Sequence, residues 1–362
     1  MTSKGISVRR IGLVLLVYLL LGTVTCILFY HGTAVSNYFN LPIFRLLPPT
    51  HKTIKRVNYP SKPPWVSLNI FDECEDSCEM VTSSSYADSD VVIFHAPDLH
   101  VDAPFKKYEG QTWVFHDLEP PILMPTNFKK WKRLFNWTFS YRRDSDIFRP
   151  YGFFTHRNNT NIDNSPAIPW KNKTRNIGWI VSHCGVQSQR LKYGNELQKY
   201  IDTDIFGRCG KLHCPRAQWK GCLGNYKFYA SFENSFCEDY MTEKSFNLFA
   251  QKIDSIPITR GSANYSIFLP PGSYIDTSNF SSIEKLGRFL RKLSEDEGRF
   301  KNYFHWRRYF KVNDDLNIGF CELCKRMHSP SEKYKRLYND IDEWLHKSYL
   351  PPHVCRPVKD LV

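Results

Sequence analysis

Residues 226–244 read YKFYASFENSFCEDYMTEK, with seven polar side chains behind an apolar run: Glu233, Asn234, Glu238, Asp239, Tyr240, Glu243 and Lys244. The apolar part reads as a buried strand and the rest as a polar turn and a helix start. Residues at the carboxyl end of such a strand stand where open α/β sheets bind ligands. A lysine beside a helix N-terminus suits a phosphate, because the helix dipole and free N–H groups add to the ammonium charge. The acidic residues can hold ribose hydroxyls. The same spacing also fits a helix cap with surface charges, and spacing alone does not separate the two.

Other spacings invite different chemistry. Asp144-Ser-Asp146 has the form of a carboxylate pair that bridges a divalent ion to nucleotide phosphates. With Arg142 and Arg143 just ahead, ion-paired structural acids are the favoured reading. Cys321-Glu-Leu-Cys324 with Cys74 and Cys78 fits half-sites for zinc, or disulfides. His95 and His116 end two apolar runs, and a core or rim histidine is the simpler reading of each. Lys129, Lys130, Lys132 and Arg133 read as a solvated face.

The compartment decides several of these. Ile11 to Tyr30 is an uncharged run long enough for a membrane-crossing helix, preceded by Lys4, Arg9 and Arg10. It reads as an uncleaved signal anchor with a cytosolic tail at 1–10 and the bulk of the chain lumenal. Five sequons agree, at Asn136, Asn158, Asn172, Asn264 and Asn279. Of 11 cysteines, Cys26 lies in the apolar run, and the even number left favours disulfides over zinc in an oxidising lumen. The net charge of +13 favours anionic partners, but a lumenal chain rarely meets nucleic acid, and no nucleic-acid motif is present. With 42% hydrophobic and 23% charged residues over 362, a packed protein of one large or two medium domains is expected. Aromatics at 15% fit a large aromatic core or ligand-stacking surfaces, the core reading being favoured.

The elements that must position these residues follow from the apolar pattern. Residues 31–64 are proline-rich without helical period and read as a stem. Strands are predicted at 66–71, 90–95, 112–116 and 136–141. A polar linker follows at 155–174. Beyond it, strands are predicted at 177–182, 204–206, 228–232 and 256–259, and helices at 189–200, 238–252 and 281–294. The last is opened by a Ser281-x-x-Glu284 capping box. Strand–helix alternation of this kind predicts two doubly wound α/β domains, 65–170 and 171–362, with a ligand cleft between them.

FENSFCEDYMTEK resembles the signature of the α-1,3-fucosyltransferases, glycosyltransferase family 10, whose pattern is close to FENSxCxDYxTEK. WIVSHCGVQSQR (179–190) resembles the family's strand and loop ending in Arg, and FNWTFSYRRDSDIFRPYG (135–152) a second block. LPPGSYIDTSNFSS and YFHWRR occupy the expected later positions, so the likeness spans about 65–326. The resemblance implies a GT-B fold and inverting transfer of fucose from GDP-fucose to a glycan hydroxyl, expected to be the 3-hydroxyl of N-acetylglucosamine. It implies a Golgi membrane enzyme with a lumenal catalytic region and no required metal or other cofactor. By position, Arg190 and Lys244 match basic residues at the diphosphate, Glu243 the ribose-binding acid, and Asn234 and Tyr240 donor-site positions. WVFHDLEPP (113–121) resembles the stretch that supplies the general base, which makes Glu119 that residue. Taken alone, Asp117 is as plausible, and Pro120 stands where the family has Ser. The resemblance further implies that Cys74 and Cys78 pair with Cys321 and Cys324, and Cys184 with Cys237. IPITRGSANY is about two residues shorter than the usual segment, and His183 replaces a common Asn. A non-catalytic glycan-binding relative is the alternative, disfavoured by the intact Glu119, Arg190, Glu243 and Lys244.

Overall fold

The computed structural model describes residues 53–99, 103, 106–124, 128–158, 168–313, 315, 317–329, 331–347 and 354–361. The predicted tail, the membrane segment with Cys26, and stem residues 31–52 lie outside them. No helix among the described residues is long and apolar enough to cross a membrane.

The first sheet comprises β1 (Lys55–Asn58), β2 (Cys78–Val81), β3 (Val91–His95), β4 (Thr112–Asp117), β5 (Trp137–Ser140) and β6 (Ile147–Phe148). Its order is β2-β1-β3-β4-β5-β6, all parallel. β7 (Phe153–His156) leaves this sheet to pair later with an antiparallel partner. The second sheet comprises β8 (Arg175–Ile180), β9 (Thr203–Phe206), β10 (Tyr226–Phe232), β11 (Ile256–Arg260) and β12 (Ile275–Asp276). Its order is β12-β11-β10-β8-β9, again all parallel. β13 (Phe310–Asn313) closes the ribbon with β7.

Both faces of each sheet are covered, which is why the central strands read as continuous apolar runs. On β3, Val91 and Ile93 enter one core and Val92 and Phe94 the other. In the second sheet the helix Ile283–Glu295 buries Ile283, Leu286, Leu290 and Leu293 on one stripe. Its cap is Ser282, which accepts from the Lys285 amide, one residue later than the predicted Ser281. Ser281 Oγ instead meets Lys285 Nζ at 2.8 Å.

Two predicted boundaries are corrected. β1 lies inside the predicted stem, between β2 and β3. Its sequence, KRVN, has one apolar residue and is followed by Pro60, Pro63 and Pro64, so it gave no hydrophobic signal. The predicted second domain does not run unbroken to 362. Phe320 and Leu323 of the helix Ile318–His328 pack on one face of the first sheet, and Ile341 and Leu345 of the helix Ile341–His346 on the other. The described connections of the first sheet contain only short 3-10 turns, so the later helices supply its cover. Residues 354–361 then return to the second sheet, where Leu361 packs in its core.

Local predictions shift for physical reasons. Residues 66–71 form turns, not a strand: Val66, Ile70 and Phe71 are buried, but the bonds are Val66 N–H to Pro63 O and Asp72 N–H to Asn69 O. The helix predicted over 238–252 is Glu243–Ala250, because Asp239 adopts φ 56°. The predicted linker begins inside β7, and its residues 159–167 lie outside the described ones.

Cys74 bonds Cys321 and Cys78 bonds Cys324, tying the returning helix to the first sheet. Closing loops of 247 and 246 residues restricts the unfolded chain by about 5 kcal/mol in the entropic picture, shared between neighbouring links. The expected Cys184–Cys237 pair is not formed. Cys184 follows β8 and joins Cys209, which follows the adjacent parallel strand β9. Cys237 joins Cys355 of the returning segment, and Cys214 joins Cys222.

Candidate functional site

At the end of β10 the chain has to turn back into the helix Glu243–Ala250. Glu233 fixes that turn. Its buried carboxylate accepts the Thr242 amide at 2.9 Å and the Thr242 hydroxyl at 3.0 and 2.9 Å. Thr242 is the N-cap, so Lys244 falls in the first helical turn. A cation there opposes the helix dipole, and neighbouring oxygens offset this. Lys244 Nζ lies 3.0 Å from Glu233 Oε2, 2.7 Å from Thr242 Oγ1 and 3.3 Å from Glu243 Oε1. Burial lowers the Lys244 pKa, but Glu233 and Glu243 raise it beyond the ordinary lysine value. Burial lifts the Glu233 carboxyl despite Lys244. Burial also acts to raise Glu243, yet Lys244 holds it below the usual range. The Glu243 side chain is 44% exposed and makes the longest of the three contacts, so it is the one an incoming anion can displace.

Arg190 opens the helix Arg190–Leu197 after Gln189, which takes φ 49°. Its guanidinium is buried and donates to Phe232 O at 2.9 Å and His183 O at 3.2 Å, and its Nε is unpartnered. It therefore braces the loop after β8 against β10 and adds a buried positive charge that Lys244 feels. Gly194 on this helix meets the Trp179 ring, where an added Cβ would come within 2.4 Å. Asn234 joins the same brace: its carbonyl accepts Ser188 N–H at 3.0 Å, and its buried Oδ1 is unpartnered.

Glu119 comes from the first sheet, two residues after β4. Asp117 Oδ1 accepts the Glu119 amide at 2.7 Å, and Tyr151 donates to Leu118 O. Glu119 Oε2 accepts a 3.3 Å hydrogen bond from Tyr240, which follows β10 of the second sheet. Burial raises the Glu119 carboxyl, and Lys244 across the gap opposes this. Asp117 is 1% exposed, with a carboxyl pushed far up by burial, so it supports Glu119 and is shielded from any substrate. Tyr240 stays protonated because burial raises its phenol well above its ordinary value.

A returning segment holds the loops of the second sheet, and no apolar pattern announced it. Val354 O accepts Glu238 N–H at 2.6 Å, Arg356 N–H donates to Phe236 O at 2.7 Å, and Arg356 O accepts from Gln187 Nε2 at 2.8 Å. Asp360 takes Arg260 Nε and Nη2, each at 2.7 Å, while Arg260 Nη1 donates to Ser188 O at 2.9 Å. The available hint was Arg260 itself, a charged residue at the end of an apolar strand. Asp360→Ala leaves the fully buried Arg260 without its counter-charge. A loss of about 2 kcal/mol in a denaturant melt is expected, below the value for a fully buried pair because Asp360 is 35% exposed.

The decoys resolve. Asp144 is held bidentately by Arg142, at 2.9 and 2.6 Å. Asp146 accepts from Thr138 N and Oγ1, Tyr338 and Arg336, whereas Arg143 offers its amide to Asp239. The candidate metal cluster found among the described residues, Cys78, Cys324 and His328, has both sulfurs in a disulfide. Lys132 pairs with Asp340 at 2.8 Å on the surface. Asn158, Asn172, Asn264 and Asn279 are exposed. Asn136 is not free: its Nδ2 donates to Arg336 O at 2.9 Å and its Oδ1 accepts Trp113 N–H at 2.9 Å. A glycan there replaces one of the two Nδ2 hydrogens, so the sugar has to fit beside Arg336 while the remaining N–H keeps the bond. Glycopeptide mapping is expected to find lower occupancy at Asn136 than at the four exposed sequons.

The family description "Glycosyltransferase family 10 (fucosyltransferase) C-term" matches residues 170–344, and "Fucosyltransferase, N-terminal" matches 49–152. Alpha-(1,3)-fucosyltransferase C of Drosophila melanogaster is 32% identical over 296 residues, covering 74% of this chain and 68% of that protein. Alpha-(1,3)-fucosyltransferase 7 of Rattus norvegicus is 34% identical over 278 residues, covering 74% and 72%. A crystal structure of an α1,3-fucosyltransferase with GDP-fucose covers 77% of this chain and 91% of its own, with TM-score 0.52 and 12% identity, a likeness of fold. Since the two matched regions cover in order the sheets that carry Glu119 and Lys244, the chain belongs to the family 10 fucosyltransferases.

Proposed function

We propose that this chain is an inverting α-1,3-fucosyltransferase of GT-B architecture. GDP-fucose is the donor and the 3-hydroxyl of an N-acetylglucosamine in a glycan is the acceptor. The observation that carries this reading is the meeting of Glu119 and Tyr240 across two domains, with Lys244 close enough to pull on the Glu119 charge. Glu119 takes the acceptor hydroxyl proton as that oxygen attacks fucose C1 and the bond to the diphosphate breaks. Lys244, with Arg190 behind it, stabilises the charge that GDP carries away. Glu243, once displaced from Lys244, is free to accept the ribose hydroxyls, and Asn234 shapes the loop beside it. The disulfides fit a lumenal, Golgi setting behind the predicted membrane anchor.

The test is incubation of the chain with GDP-fucose and a panel of N-acetylglucosamine-containing acceptors, with product linkage read by NMR. An α-1,3-linked fucose is expected. GDP-fucose binding without any turnover would favour a glycan-binding relative. Activity is expected to persist in chelator, because the Asp144 and Asp146 carboxylates are already engaged by protein donors. Complete, metal-reversible loss overturns the metal-free scheme.

A further inference from the structure

Arg260 ends β11 at 1% exposure, and every nitrogen of its guanidinium is engaged by another part of the chain. Nε and Nη2 each donate to Asp360 at 2.7 Å, and Nη1 donates to Ser188 O at 2.9 Å. The guanidinium carbon lies 4.3 Å from the Tyr193 ring centre and 4.7 Å from that of Phe236. A buried charge is tolerated only while such partners stay in place. The arrangement therefore fixes their positions as well as its own.

The partners frame the donor groups. Ser188 stands two residues before Arg190 and Tyr193 three residues after it, so Arg260 holds the chain on both sides of that cation. Between them Gln189 takes φ 49°, a left-handed conformation that a residue with a side chain keeps only where its surroundings over-determine it. Phe236 belongs to the turn from Glu233 to Lys244, and its N–H donates to Gln187 Oε1 at 2.9 Å. Arg260 thus ties the turn that carries Lys244 to the loop that carries Arg190.

Asp360 reaches this cluster from the returning segment. Cys355 is fastened to Cys237, and the backbone of Arg356 bonds to Phe236 and Gln187. Past that point Arg356, Pro357 and Lys359 are exposed, and with Asp360 they wall a cavity of about 720 Å³ that also touches Tyr193 and Phe236. The segment runs along open space there, so its grip on the sheet falls to the Arg260–Asp360 pair and to Leu361 in the core.

We propose that Arg260 is a positioning residue for the donor. With Asp360 as counter-charge, it presets the Arg190 loop and the Glu233–Lys244 turn in the arrangement that receives the nucleotide diphosphate. The inference rests on the transferase reading for the identity of that donor. Arg260 acts through the Ser188 carbonyl and the Tyr193 and Phe236 rings. A loop already in place costs the donor no ordering on binding, so loss of the clamp falls on donor affinity. The acceptor side, where the first sheet carries Glu119, is unaffected.

Calorimetric titration of the whole chain with GDP, well below the melting temperature, tests this without any turnover. Arg260→Gln is expected to weaken GDP binding about tenfold or more, the scale of a site displaced by a distant change. Arg260→Lys keeps the charge without the two parallel N–H groups and is expected to recover part of the loss. Asp360→Asn, at a side chain 35% exposed, is expected to weaken GDP in the same direction and keeps the test valid if Arg260→Gln does not fold. In turnover assays KM for GDP-fucose is expected to rise by the same factor, with KM for the acceptor kept within about twofold. A merely smaller folded fraction would lower kcat and leave both KM values where they were. In an Arg190→Ala background Arg260→Gln is expected to add little, because the two act through one loop. Unchanged GDP affinity in folded Arg260→Gln and Asp360→Asn, or a loss that adds in full to that of Arg190→Ala, overturns the positioning role. Weakened GDP binding by these variants of a chain that transfers fucose to no acceptor leaves the role standing and overturns the transferase. A parent chain that does not bind GDP overturns both.

Discussion

Lys244→Ala is expected to lower kcat/KM for GDP-fucose by about 10²–10³-fold, the scale for losing one preorganised contact to a developing anion. The ammonium stands at a helix N-terminus between Glu233 and Glu243, so it is held in place before any ligand arrives. The same substitution strands the buried Glu233 beside only Thr242. A carboxylate left so has to protonate or cost stability, of order 3 kcal/mol for a buried pair broken on one side. The double variant Glu233→Gln/Lys244→Ala separates the two effects. Its melting temperature should recover toward the parent value while donor turnover stays low. If turnover recovers with stability, Lys244 acts through the fold alone and the leaving-group role is lost.

The sequence showed the strands whose burial is two-sided, since β3, β4, β5, β8, β10 and β11 are long or apolar enough to declare themselves. It did not show β1, β2, β6, β7, β12 and β13, which are short, polar or both, and whose place is set by a neighbour's ladder. The turn at Asp239 was invisible because φ 56° depends on what Arg143 and Val354 bring to it from far along the chain. The same distance explains the disulfide error. The Cys184–Cys237 pairing was implied by the family resemblance, but Cys184 joins Cys209 just past the neighbouring strand and Cys237 joins a segment with no pattern of its own. Site residues were legible where a short motif fixes several side chains on one turn, as in Glu233 to Lys244. Asp360 carries no motif, and its meaning lies in the Arg260 guanidinium edge that it fills.

Glu119→Gln is expected to cut transfer by about 10²–10⁴-fold with GDP-fucose affinity kept within a few-fold, because the amide fills the same space and cannot accept a proton. The pH profile gives an independent sign. Burial raises the Glu119 carboxyl above the usual glutamate value, and the base works only when ionised. The rate should therefore fall as pH drops through that raised pKa, with the ionised form and full activity above it. Lys244 and the Tyr240 hydroxyl both lower the same pKa. Tyr240→Phe removes one of these, so its acid limb should move to higher pH while the plateau rate changes less. Asp117→Asn weakens the hold on the Glu119 amide and should lower kcat without moving the limb as far. Near-normal turnover by Glu119→Gln, or an acid limb that stays in place in Tyr240→Phe, shifts the base away from Glu119.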